Sequence, residues 1–146
     1  MMEGTCLAVA VLAGQLLTIQ PNATHPSDFN GRSIEVQSCT RGLGGFVMAS
    51  DSGLYAGGVH YGVEARYHEI IMTAQPFFGA SYTPREVSEL PLHAQFWAGA
   101  NLVVEYRGVL AGVKYGHASN GGLTEYNAGV DVFTVMMGIN TGTIGR

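Results

Sequence analysis

The sequence predicts an all-β chain, an antiparallel up-and-down β-barrel of about eight strands built to cross a membrane. Three observations carry that prediction. From Ser33 onward, apolar and polar residues alternate with a period of two, as they do in strands whose side chains point to opposite faces. The alternating runs are far longer than the roughly 5–6 residues of an ordinary strand. Only 12% of the 146 residues are charged, and 21 are glycine. An average soluble domain has roughly 25% charged residues, so the low charge fits an outer surface that does not all face water.

Residues 1–32 read as an apolar, signal-like segment followed by a linker, with a first strand as the alternative. Cys6–Leu17 (CLAVAVLAGQLL) is almost wholly apolar. It has the length of a signal-peptide core and is too short for a membrane-spanning helix, which needs roughly 20 residues. The leading Met-Met-Glu lacks the basic residue that usually precedes such a core. The signal-like reading is preferred. Gln20–Arg32 (QPNATHPSDFNGR) is rich in turn formers and reads as the linker. Residues 33–146 are expected to form the barrel domain.

Ser33–Thr40 and Gly45–Ser50 are short strand candidates joined by Arg41-Gly42-Leu43-Gly44, and Asp51-Ser52-Gly53 is a turn signal. In Leu54–Tyr67 the odd positions are apolar or aromatic (Tyr55, Val59, Tyr61, Val63, Tyr67), and the even ones include His60, Glu64 and Arg66. A tight connection at His68-Glu69 exchanges the parity. Ile70–Tyr82 then carries Ile70, Met72, Phe78 and Tyr82 on its even face. Thr83–Pro91 is a longer polar loop. Leu92–Tyr106 places Phe96, Leu102 and Val104 opposite His93, Asn101 and Glu105, and Arg107-Gly108 makes a second tight turn. Val109–Ser119 and Asn127–Asn140 complete seven clear strands. The eighth has to come from the N-terminal apolar segment or from a different division of Ser33–Ser50.

Two orientations fit these faces. A transmembrane barrel turns the apolar face to lipid and closes so that no backbone group is left unpaired in hydrocarbon. A water-soluble ligand carrier turns it inward. Strand length and the alternation of tight turns with longer loops favour the membrane orientation. Tyr61, Val63, Phe78, Phe96, Leu102, Val113 and Val135 are then expected outside. An interior polar network is expected from His60, Glu64, Arg66, His93, Asn101, Glu105 and Lys114.

The net charge of −4 comes without any Lys/Arg cluster, so no nucleic-acid partner is expected. Cys6 and Cys39 form neither a CxxC pair nor a Cys/His set at zinc spacing. Nothing in the pattern points to a metal or an organic cofactor.

One stretch carries chemistry. Tyr115-Gly116-His117-Ala118-Ser119 runs into a Gly-rich polar break, and Asp131 follows on the next strand. In an extended chain His117 and Ser119 share a face. If the break is a hairpin loop, Asp131 returns beside them. A serine hydroxyl is a weak nucleophile until a base takes its proton, and the base needs a third group to hold its tautomer. The three residues also continue the apolar, outward faces of their strands. On a membrane barrel that places them at the lipid headgroup level, where an enzyme acting on a lipid would need them. The competing reading is a hairpin with ordinary polar residues at its tip, on a non-catalytic barrel that binds lipid or serves as a surface or virion protein.

His117-Ala118-Ser119-Asn120 followed by Asn127-Ala128-Gly129-Val130-Asp131 resembles the active-site hairpin of the outer-membrane lipid A 3-O-deacylases, the PagL family. The alternating strands from Leu54 onward extend the likeness. The resemblance implies an eight-stranded barrel in the outer membrane and serine-esterase hydrolysis of the 3-O-linked hydroxyacyl chain of lipopolysaccharide. It implies Ser119 as nucleophile, His117 as general base and Asp131 as the acid that orients it. Asn120 and the Gly121 amide would stabilise the oxyanion. The family pattern has Glu where this chain has Asp131, so the reach of a shorter side chain is at issue.

Overall fold

In a computed structural model of the protein, the described residues are 9–18, 30–38, 40–84, 93–119 and 129–142. Eight strands follow one another: β1 (Val9–Thr18), β2 (Gly31–Ser38), β3 (Gly42–Ser50), β4 (Tyr55–Tyr67), β5 (Ile70–Tyr82), β6 (Ala94–Tyr106), β7 (Val109–Ser119) and β8 (Val130–Asn140). Each pairs antiparallel with its sequence neighbour, and β1 pairs with β8, so the sheet closes into an up-and-down barrel. Closure removes the open edges that would otherwise expose unpaired amides and carbonyls.

The closing strand is the apolar N-terminal segment. Val9–Thr18 runs from Ala10 opposite Asn140 to Thr18 opposite Val132, and its other edge pairs with β2. The barrel therefore starts at Val9 and not near residue 33. Of the two readings of that segment, strand and signal-like core, the strand is the one present, paired with both β2 and β8. Its sequence hides the alternation because both faces are apolar: Val9, Val11 and Leu17 point out, while Ala10, Leu12 and Leu16 are buried inside. Gly42-Leu43-Gly44, read as part of a connection, belongs to β3.

The tight turns fall where the parity exchange placed them. Tyr67 pairs with Ile70 across His68-Glu69, and Tyr106 pairs with Val109 across Arg107-Gly108. Arg107 and Gly108 both have positive φ (49° and 83°), the backbone that a two-residue hairpin turn of the twist-compatible type requires. Arg107 Nη2 also lies 3.0 Å from Glu69 Oε1, tying the two turns together at one end of the barrel. The opposite end carries the longer connections, between β1 and β2, β5 and β6, and β7 and β8.

The faces are those of a barrel in a bilayer. Tyr61, Val63, Phe78, Phe96, Leu102, Val113 and Val135 all lie on the exposed outer wall. Tyr55, Tyr82, Phe96 and Tyr115 line that wall toward the long-loop end, and Tyr67 and Tyr106 toward the short-turn end. Two such girdles mark the interfaces of an outer-membrane barrel.

The interior is filled with side chains, as small barrels require. Lys114 pairs with Glu35, and Gln37 Nε2 donates to the other carboxylate oxygen of Glu35 at 2.5 Å. Asn101 Nδ2 donates to Gln75 Oε1 at 3.1 Å, and Asn140 Nδ2 to Glu105 Oε2 at 3.1 Å. His60 is buried with a ring nitrogen 3.1 Å from the Ser38 carbonyl. The lumen also holds two apolar clusters that parity alone did not reveal. One contains Phe46, Leu54, Phe77 and Trp97, the other Leu12, Val103, Leu110 and Met136.

Two residues expected in the interior network are not there. Arg66 is exposed and bonds Glu64 at 2.6 Å from outside the lumen. The β3–β4 ladder stops at Gly42 opposite Gly62, whereas β4 and β5 continue to Tyr67 opposite Ile70. Arg66 thus sits on a hairpin that projects past the closed rim. His93 precedes β6 and is exposed, with Nδ1 2.8 Å from the Thr83 carbonyl.

Candidate active site

The β7–β8 register creates the candidate site. It sets His117 opposite Asp131, and Ala118 opposite Val130. Alternation then sorts the side chains. Gly116, Ala118, Val130 and Val132 turn inward and are buried, while Tyr115, His117, Ser119 and Asp131 turn to the outer wall. The site lies where β7 ends and β8 begins, at the end of the barrel with the longer connections.

His117 Nδ1 is 2.6 Å from Asp131 Oδ1, with the two side chains 42% and 32% exposed. The shorter acid reaches because it stands directly across the strand pair, so a second methylene is not needed. The bond occupies Nδ1 and leaves Nε2 as the nitrogen available to another group.

Gly129 explains the glycine of the motif. Its φ is +69°, a left-handed conformation that other residues adopt only with strain. A Cβ placed there would lie 2.7 Å from His117 Cε1, 3.0 Å from Nε2 and 2.7 Å from the Ala118 carbonyl oxygen. The glycine lets the chain re-enter β8 against the edge of the imidazole. On the inner side, Gly116 gives room to Trp97, whose ring would meet a Cβ there at 2.2 Å. Trp97 is almost wholly buried and underpins the strand that carries His117.

Ser119 lies two residues beyond His117, on the same face, opposite Phe96 of β6. Among the described residues no hydrogen bond joins Ser119 to His117. Asn120 and Gly121, the oxyanion candidates, lie outside the described residues.

The site holds one residue that the sequence reading passed over. Tyr115 donates its hydroxyl to Asp131 Oδ1 at 2.7 Å, the same oxygen that faces His117. Tyr115 pairs with Phe133, so Asp131 is its diagonal neighbour across the strands, a position that aromatic side chains reach. The usable signal was the parity Tyr115 shares with His117.

The family model for lipid A 3-O-deacylase (PagL) matches residues 27–140, a span that runs from before β2 to the end of β8. The chain belongs to the lipid A 3-O-deacylase (PagL) family. The crystal structure of the outer membrane enzyme PagL superposes with a TM-score of 0.61 at 13% identity, covering 90% of this chain and 98% of that one. The outer membrane protein Ail of Yersinia pestis, determined in a phospholipid bilayer nanodisc, superposes with a TM-score of 0.53 at 13% identity, covering 91% and 98%. At that identity both likenesses speak to the fold, the eight-stranded outer-membrane barrel. A comparison with curated protein sequences gives no match. Within this PagL-family chain the His-x-Ser element and the Gly-x-acid element are the parts brought face to face by the β7–β8 register.

Proposed function

We propose that this protein is an outer-membrane lipid A deacylase that hydrolyses the 3-O-linked hydroxyacyl ester of lipopolysaccharide. The observation that carries the reading is the His117–Asp131 pair on the outer wall, at 2.6 Å and at the level of an aromatic girdle. A wall that only has to face lipid has no use for a paired imidazole and carboxylate, because polar groups in that position cost free energy.

In this reading Asp131 holds His117 in the tautomer with the proton on Nδ1, which makes Nε2 the base. Nε2 takes the Ser119 hydroxyl proton as Oγ attacks the acyl carbonyl carbon. The tetrahedral intermediate collapses, the glucosamine oxygen leaves, and it takes the proton back from Nε2. Water, deprotonated by the same nitrogen, then attacks the acyl-serine and releases a hydroxy fatty acid. Asn120 and the Gly121 amide are proposed to stabilise the oxyanion, an effect worth roughly 10²–10³ in rate for one donor. The Ser119–His117 hydrogen bond forms in the substrate complex, as catalytic contacts commonly tighten only there.

The alternative is a non-catalytic barrel of the same architecture. Fold alone does not choose between the two, since one fold hosts many functions. The test uses purified protein in detergent with lipopolysaccharide as substrate, and mass spectrometry of both products. Release of hydroxy fatty acid by wild type, lost in Ser119→Ala, supports the reading. No release by wild type sinks it. Membrane fractionation of expressing cells tests the outer-membrane placement.

A further inference from the structure

We infer that Tyr115 is a positioning residue for the hydrolysis proposed above, acting through Asp131; the inference rests on that reading of the site. As one of several tyrosines on the outer wall, Tyr115 could be no more than a member of the interfacial girdle. Its hydroxyl argues otherwise. It is committed to Asp131 Oδ1 at 2.7 Å, while His117 Nδ1 approaches the same oxygen at 2.6 Å. One carboxylate oxygen therefore receives two donors from a single strand, from residues two positions apart.

The Asp131 side chain is 32% exposed, so burial does not fix its orientation. Without a second donor the carboxylate could turn toward solvent or headgroups and release the imidazole. The catalytic acid in the trypsin-like arrangement is buried and held by its surroundings. On an open barrel wall the surroundings are fluid lipid, and a neighbouring hydroxyl supplies the restraint. Tyr115 suits the task because its ring is anchored in the apolar wall while its polar end reaches the interface. The hydroxyl proton stays on the tyrosine and the Nδ1 proton stays on the imidazole. No bond is made or broken at Tyr115.

The experiment replaces Tyr115 with phenylalanine, which keeps the ring on the wall and removes only the hydroxyl. The expected result is a fall in kcat of about 10- to 100-fold, the loss of one hydrogen bond to a charged acceptor, with KM for lipopolysaccharide unchanged. In an Asp131→Asn background, Tyr115→Phe should cost nothing further, since the two residues act as one unit. Proton NMR of detergent-solubilised, nitrogen-15-labelled protein gives a readout independent of turnover. The His117 Nδ1 proton resonance should be shifted far downfield in wild type and should move upfield or broaden in Tyr115→Phe. Wild-type kcat in Tyr115→Phe, an equal loss in the Asp131→Asn background, or a rise in KM alone would each overturn the inference. If wild-type protein proves inactive on lipopolysaccharide, the hydrolase reading fails. An unaltered Nδ1 resonance in Tyr115→Phe would then still reject the positioning role on its own.

Discussion

His117 and Asp131 stand directly opposite each other on β7 and β8, with Nδ1 and Oδ1 2.6 Å apart on the outer wall of the barrel. The geometry makes the carboxylate the only orienting group on Nδ1 among the described residues, and the proposed mechanism depends on its charge. Asp131→Asn keeps the size and allows the wrong imidazole tautomer. It is expected to lower kcat by roughly 10³–10⁴-fold with little change in KM. The check is steady-state release of hydroxy fatty acid, measured on protein whose β-sheet circular dichroism matches wild type.

Gly129 is expected to be the position outside the proposed catalytic set where a single methyl group does most harm to activity. The added carbon would fall 2.7 Å from both His117 Cε1 and the Ala118 carbonyl, at a residue with φ of +69°. The imidazole has to shift, and a displacement of about 1 Å at a reacting group costs about 10²-fold in rate. The ladder of β7 with β8 begins beyond this residue, so the barrel should still close. Gly129→Ala should therefore still fold as a closed barrel, with a lowered unfolding temperature from the left-handed backbone and the Ala118 carbonyl contact, and with activity down by about that factor. Wild-type activity would show that His117 is not held by this contact.

Much of the fold was legible because long strands with one lipid face and one lumen face alternate strictly. The bounds Ile70–Tyr82 and Val109–Ser119 could be read from the sequence for that reason. β1 could not. Its inward residues Ala10, Leu12 and Leu16 pack into apolar clusters while its outward residues face lipid, so the period of two vanishes. Arg66 and His93 were misplaced because parity gives a face but not where the barrel wall ends. The neighbourhood of His117 and Asp131 was legible from spacing plus a hairpin. For Tyr115 only the face was legible: parity puts it on the side of His117, but its diagonal partner also depends on register, which parity alone does not fix.

The rim should show a pH response at Asp51. This residue lies in the turn after β3. Its Oδ1 accepts from the Arg32 backbone amide at 2.8 Å, and its Oδ2 from Arg32 Nε at 3.2 Å. The amide bond, reinforced by the guanidinium, holds the Asp51 carboxyl below its ordinary value. A carboxylate lowered in this way contributes stability at pH above the ordinary aspartate range of about 3.9, and loses it as pH falls through the lowered value. Arg32→Ala leaves the amide bond in place and removes the guanidinium. The carboxyl titration followed by carbon-13 NMR should then move part of the way back up. A titration unchanged by Arg32→Ala would leave the amide as the whole cause.

The last prediction concerns the lumen. Lys114 and Glu35 are both about 1% exposed and paired, and the Lys114 ammonium lies 4.5 Å from the Phe46 ring centre and 4.6 Å from that of Phe77. Two forces hold the cation, and their magnitudes differ. Removing one partner of a buried ion pair costs about 3–5 kcal/mol, because the other charge is left uncompensated. Each desolvated cation–π contact is worth about 2 kcal/mol, but both are already made beside the carboxylate, so they gain nothing when it is lost. Glu35→Gln preserves shape and the reach to Gln37, yet strands the ammonium between two rings. It should lower the unfolding free energy by about 3–5 kcal/mol, read from urea titration in detergent micelles. Restoring neutrality by pairing Lys114→Met with Glu35→Leu should recover most of that loss, since an apolar pair of similar volume avoids the desolvation of both charges. A double variant no more stable than Glu35→Gln would show that the pair is held by its wider hydrogen-bond network and not by charge compensation. Activity at the outer wall should be unchanged in the double variant, because Lys114 faces the lumen and the proposed site faces lipid.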